Sequence, residues 1–242
     1  MDISLKAQHL FNIGSFNVTN SLLLTWVVLL ILIIFSIVFK TKIKMAPGKV
    51  QGAVEMLMEY FLDLMNSTLE SAKEAEKFFP LILTIFIFIL MSNLLGLLPG
   101  VGVLTYNNGS SYVPLLRSPA ADLNFTLAFA IMAVVVTNFF GIIAVGISIH
   151  IKKFLNFSSP MNFIVGILES VSELTKIISF SFRLFGTIFA GEVLLTVVFF
   201  LLPYVAPLPF FLLEIFFGII QAFIFAMLTL VFLVLHRTKP EH

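Results

Sequence analysis

Arg183 lies inside a long apolar stretch, in the run R-L-F-G-T-I-F-A-G-E that ends at Glu192. A guanidinium stays charged in proteins, and near the centre of a bilayer it costs roughly 2.5–3.5 kcal/mol on insertion scales. Such a cation needs a buried counter-ion or an ion-handling task. Glu169, Glu173 and Lys176 precede it, Glu192 follows it, and Glu214 and Gln221 lie in the next apolar segment. At ~100° per residue, Glu169, Glu173, Lys176 and Arg183 fall within about 80° of one another on one helical face, and Thr187 continues the stripe. Glu192 sits ~14 Å beyond Arg183 and roughly on the opposite face, whereas Glu214 and Gln221 share a face about 10 Å apart. Carboxyl groups that approach a permanent cation from two directions suit proton transfer.

Plainer readings stand beside that one. Glu169, Glu173 and Lys176 also fit a helix-stabilising set with a snorkelling lysine. Gln221 fits an interhelical hydrogen bond. Arg183 could be held in a structural pair, for which ideal helix geometry disfavours Glu192 and leaves Glu214 open. Asn93, Thr137 and Asn138 read as packing glue. His9, His150, His236 and His242 fall at termini or interfaces. There is no metal-ligand spacing, no Ser/His/Asp set and no phosphate-binding glycine loop, so the expectation is no cofactor, no metal and no catalytic centre on the chain.

The elements that position these residues belong to a membrane protein. Of 242 residues, 60% are apolar and 11% charged, against about 45–50% and about 25% in soluble domains. The absence of cysteine excludes disulfides and thiolate chemistry, and a net charge of +1 gives no sign of a nucleic-acid partner. A span needs roughly 20 apolar residues. The predicted spans are 21–39, 80–98 and 119–149, followed by two longer helices, 160–202 and 209–236, separated at Pro203, Pro207 and Pro209. Lys40, Lys42 and Lys44 directly follow the first span, which marks it as a retained helix and not a cleaved leader. The fold class is all-α and polytopic, with five membrane-embedded helices in a single domain. A helix as long as 160–202 must tilt or bend, so the last two form a long tilted hairpin.

Basic residues set the orientation. Lys40, Lys42, Lys44, Lys49, Lys73, Lys77, Lys152, Lys153, Arg237 and Lys239 fall on one side, and Lys6 and Arg117 on the other. The N-terminal segment 1–20 is therefore expected outside and the C-terminus in the cytoplasm. Residues 47–79 read as a cytoplasmic amphipathic helix. Val50, Val54, Leu57, Phe61, Leu64 and Met65 form its apolar face, and Glu55, Glu59 and Asp63 an acidic row. That row is either a solvated face or a docking face. The external loop 99–118, with Gly100, Gly102, Gly109 and Pro114, reads as irregular.

Five runs carry a resemblance: S-F-S-F-R-L-F-G-T-I-F-A-G-E (Ser179–Glu192), E-S-V-S-E-L-T-K (Glu169–Lys176), Q-A-F-I-F-A-M-L-T (Gln221–Thr229), S-N-L-L-G-L-L-P-G (Ser92–Gly100) and S-P-A-A-D-L-N (Ser118–Asn124). In this order the chain resembles subunit a of F-type ATP synthases over nearly everything after the first span. The resemblance implies a stator in the bacterial inner membrane that faces a ring of c subunits. It would be held by b-type peripheral stalk subunits and coupled through the complex to the soluble catalytic head. It implies that Arg183 is the essential arginine and Gln221 its neighbour. Glu192 and Glu214 would line the outer half-channel, and Glu169 the cytoplasmic path, with Glu173 beside it. Two departures stand out: Thr187 where many bacterial members have Asn, and two glutamates where many pair a His with a Glu. A rotor carboxylate ~4 Å from Arg183 gains ~4 kcal/mol on ionising at an effective dielectric near 20, enough to discharge its proton. The rivals are a stand-alone transporter binding an anion at Arg183, which the missing internal repeat disfavours, and a purely structural membrane subunit.

Overall fold

The structure, a computed structural model, describes residues 7–13, 16–69, 71–98, 105–107, 112–147, 160–202 and 205–237. Lys6, Gly100, Gly102, Gly109, His150, Lys152, Lys153, Pro203, Lys239 and His242 lie outside them.

Among the described residues, six helices run α1 (Asn20–Lys42), α2 (Lys49–Leu69), α3 (Ala72–Gly96), α4 (Leu123–Val145), α5 (Pro160–Leu201) and α6 (Pro207–Arg237). All but α2 are long and apolar enough to cross a membrane. At 42 residues, α5 is about 63 Å long. The fold is all-α in its membrane part, as the composition implies. Two small antiparallel hairpins were not foreseen: β1 (His9–Ile13) with β2 (Phe16–Thr19), and β3 (Thr105–Asn107) with β4 (Tyr112–Pro114).

The helix ends follow local chemistry. Thr19 caps α1 by accepting a hydrogen bond from the Leu22 amide, and Lys40 and Lys42 sit in its last turn, where the helix dipole favours cations. Asp122 caps α4 by accepting from the Asn124 amide and takes a 2.6 Å hydrogen bond from Ser21 Oγ. One carboxylate thus starts α4 and ties it to the first turn of α1. Gly146, at φ 95°, ends α4 in a backbone region that a side chain would strain. Pro207 and Pro209 both occupy the first turn of α6, where a missing N–H costs nothing.

The amphipathic stretch 47–79 is two helices where one was expected. α2 runs to Leu69, Ser71 is extended, and α3 then runs from Ala72 straight through Pro80. Pro80 deprives only the carbonyl of Glu76, an exposed residue, of its helical donor. On α2 the apolar face is buried only in its second half. Phe61 and Met65 are enclosed, with Phe61 4.7 Å from Phe86 and 5.9 Å from Phe223, whereas Val50 is exposed. Gln51 fixes the turn before α2 by donating to Lys44 O and Glu55 Oε1 and accepting from the Lys44 amide.

One core joins α3, α4, α5 and α6, with Phe61 and Met65 of α2 at its edge. Phe78, Ile82, Phe86 and Ile89 meet Phe180, Leu184, Phe225 and Leu230, and Ala130, Ala133, Ala222 and Ala226 allow the helices to approach closely. Most of α1 stays outside it, with Leu29, Leu30, Ile33, Ile34 and Phe35 exposed, a surface suited to lipid. The last two helices are antiparallel: Gly191 faces Glu214, Phe180 faces Phe225, and Glu173 faces His236.

Candidate functional site

The stripe on α5 straddles a seam. Arg183 is on its open side. Its side chain is exposed, and Nη2 donates a long 3.5 Å hydrogen bond to Ser179 Oγ one turn away. Among the described residues no ion pair involves Arg183, so neither Glu192 nor Glu214 serves as its counter-ion. Thr187 turns back on its own helix, donating to the Arg183 carbonyl at 2.8 Å. A cleft of about 390 Å³ runs along this face from Arg183 past Ser179, Lys176 and Thr175 to Ser172 and Leu168, and Phe232 of α6 also lines it. Gln221 is buried on α6. The hairpin register places it level with Arg183, although among the described residues no hydrogen bond joins the two side chains.

Toward the end of the molecule where α1 finishes in Lys40 and Lys42, the stripe turns inward. Glu173 Oε1 accepts from Lys176 Nζ at 2.6 Å and lies 2.9 Å from His236 Nε2, while Oε2 accepts from Asn138 Nδ2 at 3.1 Å. Three helices therefore meet on one carboxylate. The fit is close: a Cβ on Gly141 would lie 2.8 Å from His236 Cβ and 2.9 Å from its carbonyl oxygen. Lys176 also stacks its ammonium 5.0 Å over the Phe232 ring. Glu169, one turn away, is half-buried. The helix-stabilising pair of Glu173 and Lys176 exists, then, but inside a larger network. Asn138 and His236 are the two members that sequence spacing did not bring to it.

At the opposite end a closed circuit of contacts surrounds the other two glutamates. Arg117 Nε is 3.2 Å from Glu192 Oε1 and donates to Oε2 at 3.3 Å. The Arg117 side chain is 8% exposed and that of Glu192 39%, so the pair has a buried cation and an open carboxylate. Phe189, one turn before Glu192, lies under the guanidinium at 5.8 Å. Next to Arg117, Ser118 is packed against Gly96 so tightly that a Cβ there would meet Ser118 Cβ at 2.5 Å. One turn back on α3, Asn93 Nδ2 donates to Gly218 O on α6 at 2.9 Å. One turn back from Gly218 is Glu214, buried, with Oε1 2.7 Å from where a Cβ on Gly191 would stand. Gly191 precedes Glu192, and the circuit closes.

Asn93 Oδ1, Ser118 Oγ and Glu214 Oε2 in this circuit, and Ser92 Oγ beside Asn93 in sequence, are buried polar atoms with no hydrogen-bond partner among the described residues. Buried oxygens of this kind ordinarily bind ordered water. Arg117 is the functional candidate that sequence reasoning missed. It was counted only as a basic residue of the external side.

Comparison with known proteins matches these features to one family. The profile of the ATP synthase A chain family fits residues 22–234. The chain belongs to this family. Its likeness to individual ATP synthase A chain members is spread over its whole length. It is 31% identical to ATP synthase subunit a of Moorella thermoacetica, over 94% of this chain and 95% of the relative. It is 34% identical to ATP synthase subunit a of Campylobacter jejuni, over 96% and 91%. With that of Trichlorobacter lovleyi it shares 31%, over 96% and 92%. The matched residues include α1 from its third residue, the whole of α2 to α5, and all of α6 but its last turn.

Proposed function

We propose that this chain is the membrane stator of an ATP synthase and carries protons between the two membrane faces along two paths that stop short of each other. Family membership supports a multi-pass subunit of the synthase membrane sector with a proton-translocating role. The two-path reading rests chiefly on one observation. Arg183 has no counter-ion among the described residues and opens onto a cleft at the protein surface, while Glu173 and Glu192 on either side of it are already engaged.

On this reading the outer path is the circuit of Glu192, Arg117, Ser118, Ser92, Asn93 and Glu214. Its buried oxygens supply the polar lining that water needs. Glu214 and Glu192 pass the proton inward along the side of the hairpin away from the basic end. The cytoplasmic path is the cleft from Arg183 to Lys176, with Glu169 and Glu173 at its far end. Arg183 meets a carboxylate of the c-ring from the open side. Each carboxyl group arrives protonated, gives up its proton to one path as Arg183 attracts the carboxylate that forms, and reloads from the other after passing. The fixed cation also bars direct proton flow between the paths, and Gln221 stands beside it. Each charge that crosses contributes ~2.3 kcal/mol per 100 mV. Peripheral b-type subunits hold the stator and connect it to the soluble head. The N-terminus is outside and the C-terminus in the cytoplasm, following the lysine distribution.

The test is Arg183→Lys. Lysine lacks the planar fork and can lose its proton when buried, so ATP-driven proton pumping in vesicles should stop, as with Arg183→Ala. Normal pumping by the lysine variant refutes the assignment. Solute uptake by the purified chain alone in liposomes would instead favour a stand-alone transporter.

A further inference from the structure

His236 carries an inference that the two-path reading does not need. Its ring is buried near the end of α6, and its two nitrogens have different fixed partners. Nδ1 lies 2.6 Å from the Phe232 carbonyl oxygen, and Nε2 lies 2.9 Å from Glu173 Oε1. A carbonyl oxygen can only accept, so Nδ1 must carry a hydrogen. A neutral ring with its hydrogen on Nδ1 has a lone pair at Nε2. That lone pair would point at a carboxylate oxygen, two acceptors face to face. The contact is satisfied only if one further proton lies between Nε2 and Oε1. The pair is then imidazolium with carboxylate or imidazole with carboxylic acid. In both forms it stores one proton.

The surroundings suit a store that can be emptied and refilled. Lys176 Nζ donates to the same Oε1 at 2.6 Å and Asn138 Nδ2 to Oε2 at 3.1 Å, so the carboxylate stays held when the shared proton is gone. Lys176 also lines the cleft that opens at Arg183. Among the described residues, Glu173 of α5 meets the ring, and Lys176 of α5 and Asn138 of α4 are the further polar groups gathered on that carboxylate. Gly141 of α4 leaves room for the His236 backbone.

We propose that Glu173 and His236 form a proton-storing dyad at the cytoplasmic end of the path, exchanging protons between the Arg183 cleft and the cytoplasm. This rests on the two-path reading. In the synthesis direction the dyad's proton leaves from Nε2 to cytoplasmic water. That departure leaves a neutral imidazole and a carboxylate with opposed lone pairs. A proton arriving through the cleft then restores the shared hydrogen. One proton enters and one leaves per cycle, and the dyad ends as it began. Pumping runs the same steps in reverse.

The experiment uses the intact synthase in vesicles. His236→Gln preserves a donor toward Glu173 but cannot store a proton. ATP-driven pumping and passive proton flow through head-stripped vesicles should fall roughly a hundredfold, with the c-ring still co-purifying. The dependence of the flow on cytoplasmic pH should also differ from that of the wild type. Glu173→Gln and the double variant should match His236→Gln. Flow within about twofold of wild type, or an unchanged pH profile, overturns the dyad. Nitrogen NMR on ¹⁵N-histidine wild-type complex supplies a measurement that does not depend on assembly of the variant. A protonated Nδ1 together with a hydrogen shared between Nε2 and the carboxylate supports the dyad, and an Nε2 with a free lone pair overturns it. Arg183→Lys measured in parallel separates the two readings. If it pumps, the two-path reading fails; if it is dead while His236→Gln is normal, only the dyad fails.

Discussion

Gly191→Ala probes the packing of Glu214 against α5. A Cβ at this position would stand 2.7 Å from Glu214 Oε1, 2.9 Å from Cδ and 3.0 Å from Cγ. Ordinary contact begins near 3.4 Å, so the carboxyl group must retreat by about 0.7 Å. It is the end of a flexible chain, and turning it off its rotamer costs about 0.5–1.5 kcal/mol. Alanine in a helix interior returns about 1 kcal/mol relative to glycine. Net stability should therefore change by less than about 1 kcal/mol, and the complex should assemble. Proton transfer is far more sensitive to position, since a 1 Å misplacement can cost about 100-fold, so a displacement of this size should slow it by roughly tenfold. The assay pairs passive proton conduction of head-stripped vesicles with the temperature at which this chain dissociates from the detergent-solubilised complex. The expected signature is lost flow with unchanged stability. Glu214→Asp in the same background withdraws the carboxyl group by one methylene and should recover part of the flow. Wild-type conduction by Gly191→Ala refutes the view that Glu214 acts from this position.

Two further outcomes test the rest of the outer circuit. Arg117→Gln should lower proton flow, and combining it with Glu192→Gln should add little to the worse single variant, because both act through one ion pair; losses that multiply in the same conduction assay would show that Arg117 does not act through Glu192. Gly96→Ala should reduce the dissociation temperature by an amount equivalent to about 1–3 kcal/mol, because the new Cβ would lie 2.9 Å from the Ser118 backbone as well as 2.5 Å from its Cβ. Ser118→Gly should restore part of that loss, and unchanged stability of Gly96→Ala would contradict the packing.

What the sequence made legible was anything expressible along a single helix. Arg183, Glu173 and Thr187 could be ordered by face and depth because 3.6 residues per turn converts position into angle. The same arithmetic disfavours Glu192 as partner of Arg183, and among the described residues Glu192 is paired with Arg117 instead. Contacts across helices follow no such rule. Asn138 reaches Glu173 across 35 residues and His236 reaches it across 63. Nothing in the periodicity of one helix states which other helix lies behind it. Arg117 was harder still, since it sits in an irregular segment where neither period applies. One local signal was present and unused. Ser71-Ala-Lys-Glu74 has the spacing of a capping box, and Ser71 is where α3 begins.

The distribution of contacts along the α5–α6 hairpin bears on how one arginine could serve many passing carboxylates. Both ends of the hairpin are fastened. Glu173 and His236 join it at one end together with Asn138, and Glu214 packs on Gly191 at the other, with Asn93 bonded to Gly218 nearby. Between them Phe180 packs on Phe225 at 4.7 Å and on Phe232 at 5.2 Å. The backbone at Arg183 is thus held from both sides and from behind. Its side chain is not, since the 3.5 Å contact to Ser179 is at the limit of a hydrogen bond. A cation on a fixed stem with a mobile head can follow a moving carboxylate over a short arc and then release it. A guanidinium buried in a tight internal pair could not, because breaking such a pair costs roughly 3–5 kcal/mol, comparable to the ~4 kcal/mol estimated for the moving partner. Keeping Glu192 occupied by Arg117 and Glu173 by Lys176 and His236 is therefore part of what leaves Arg183 available.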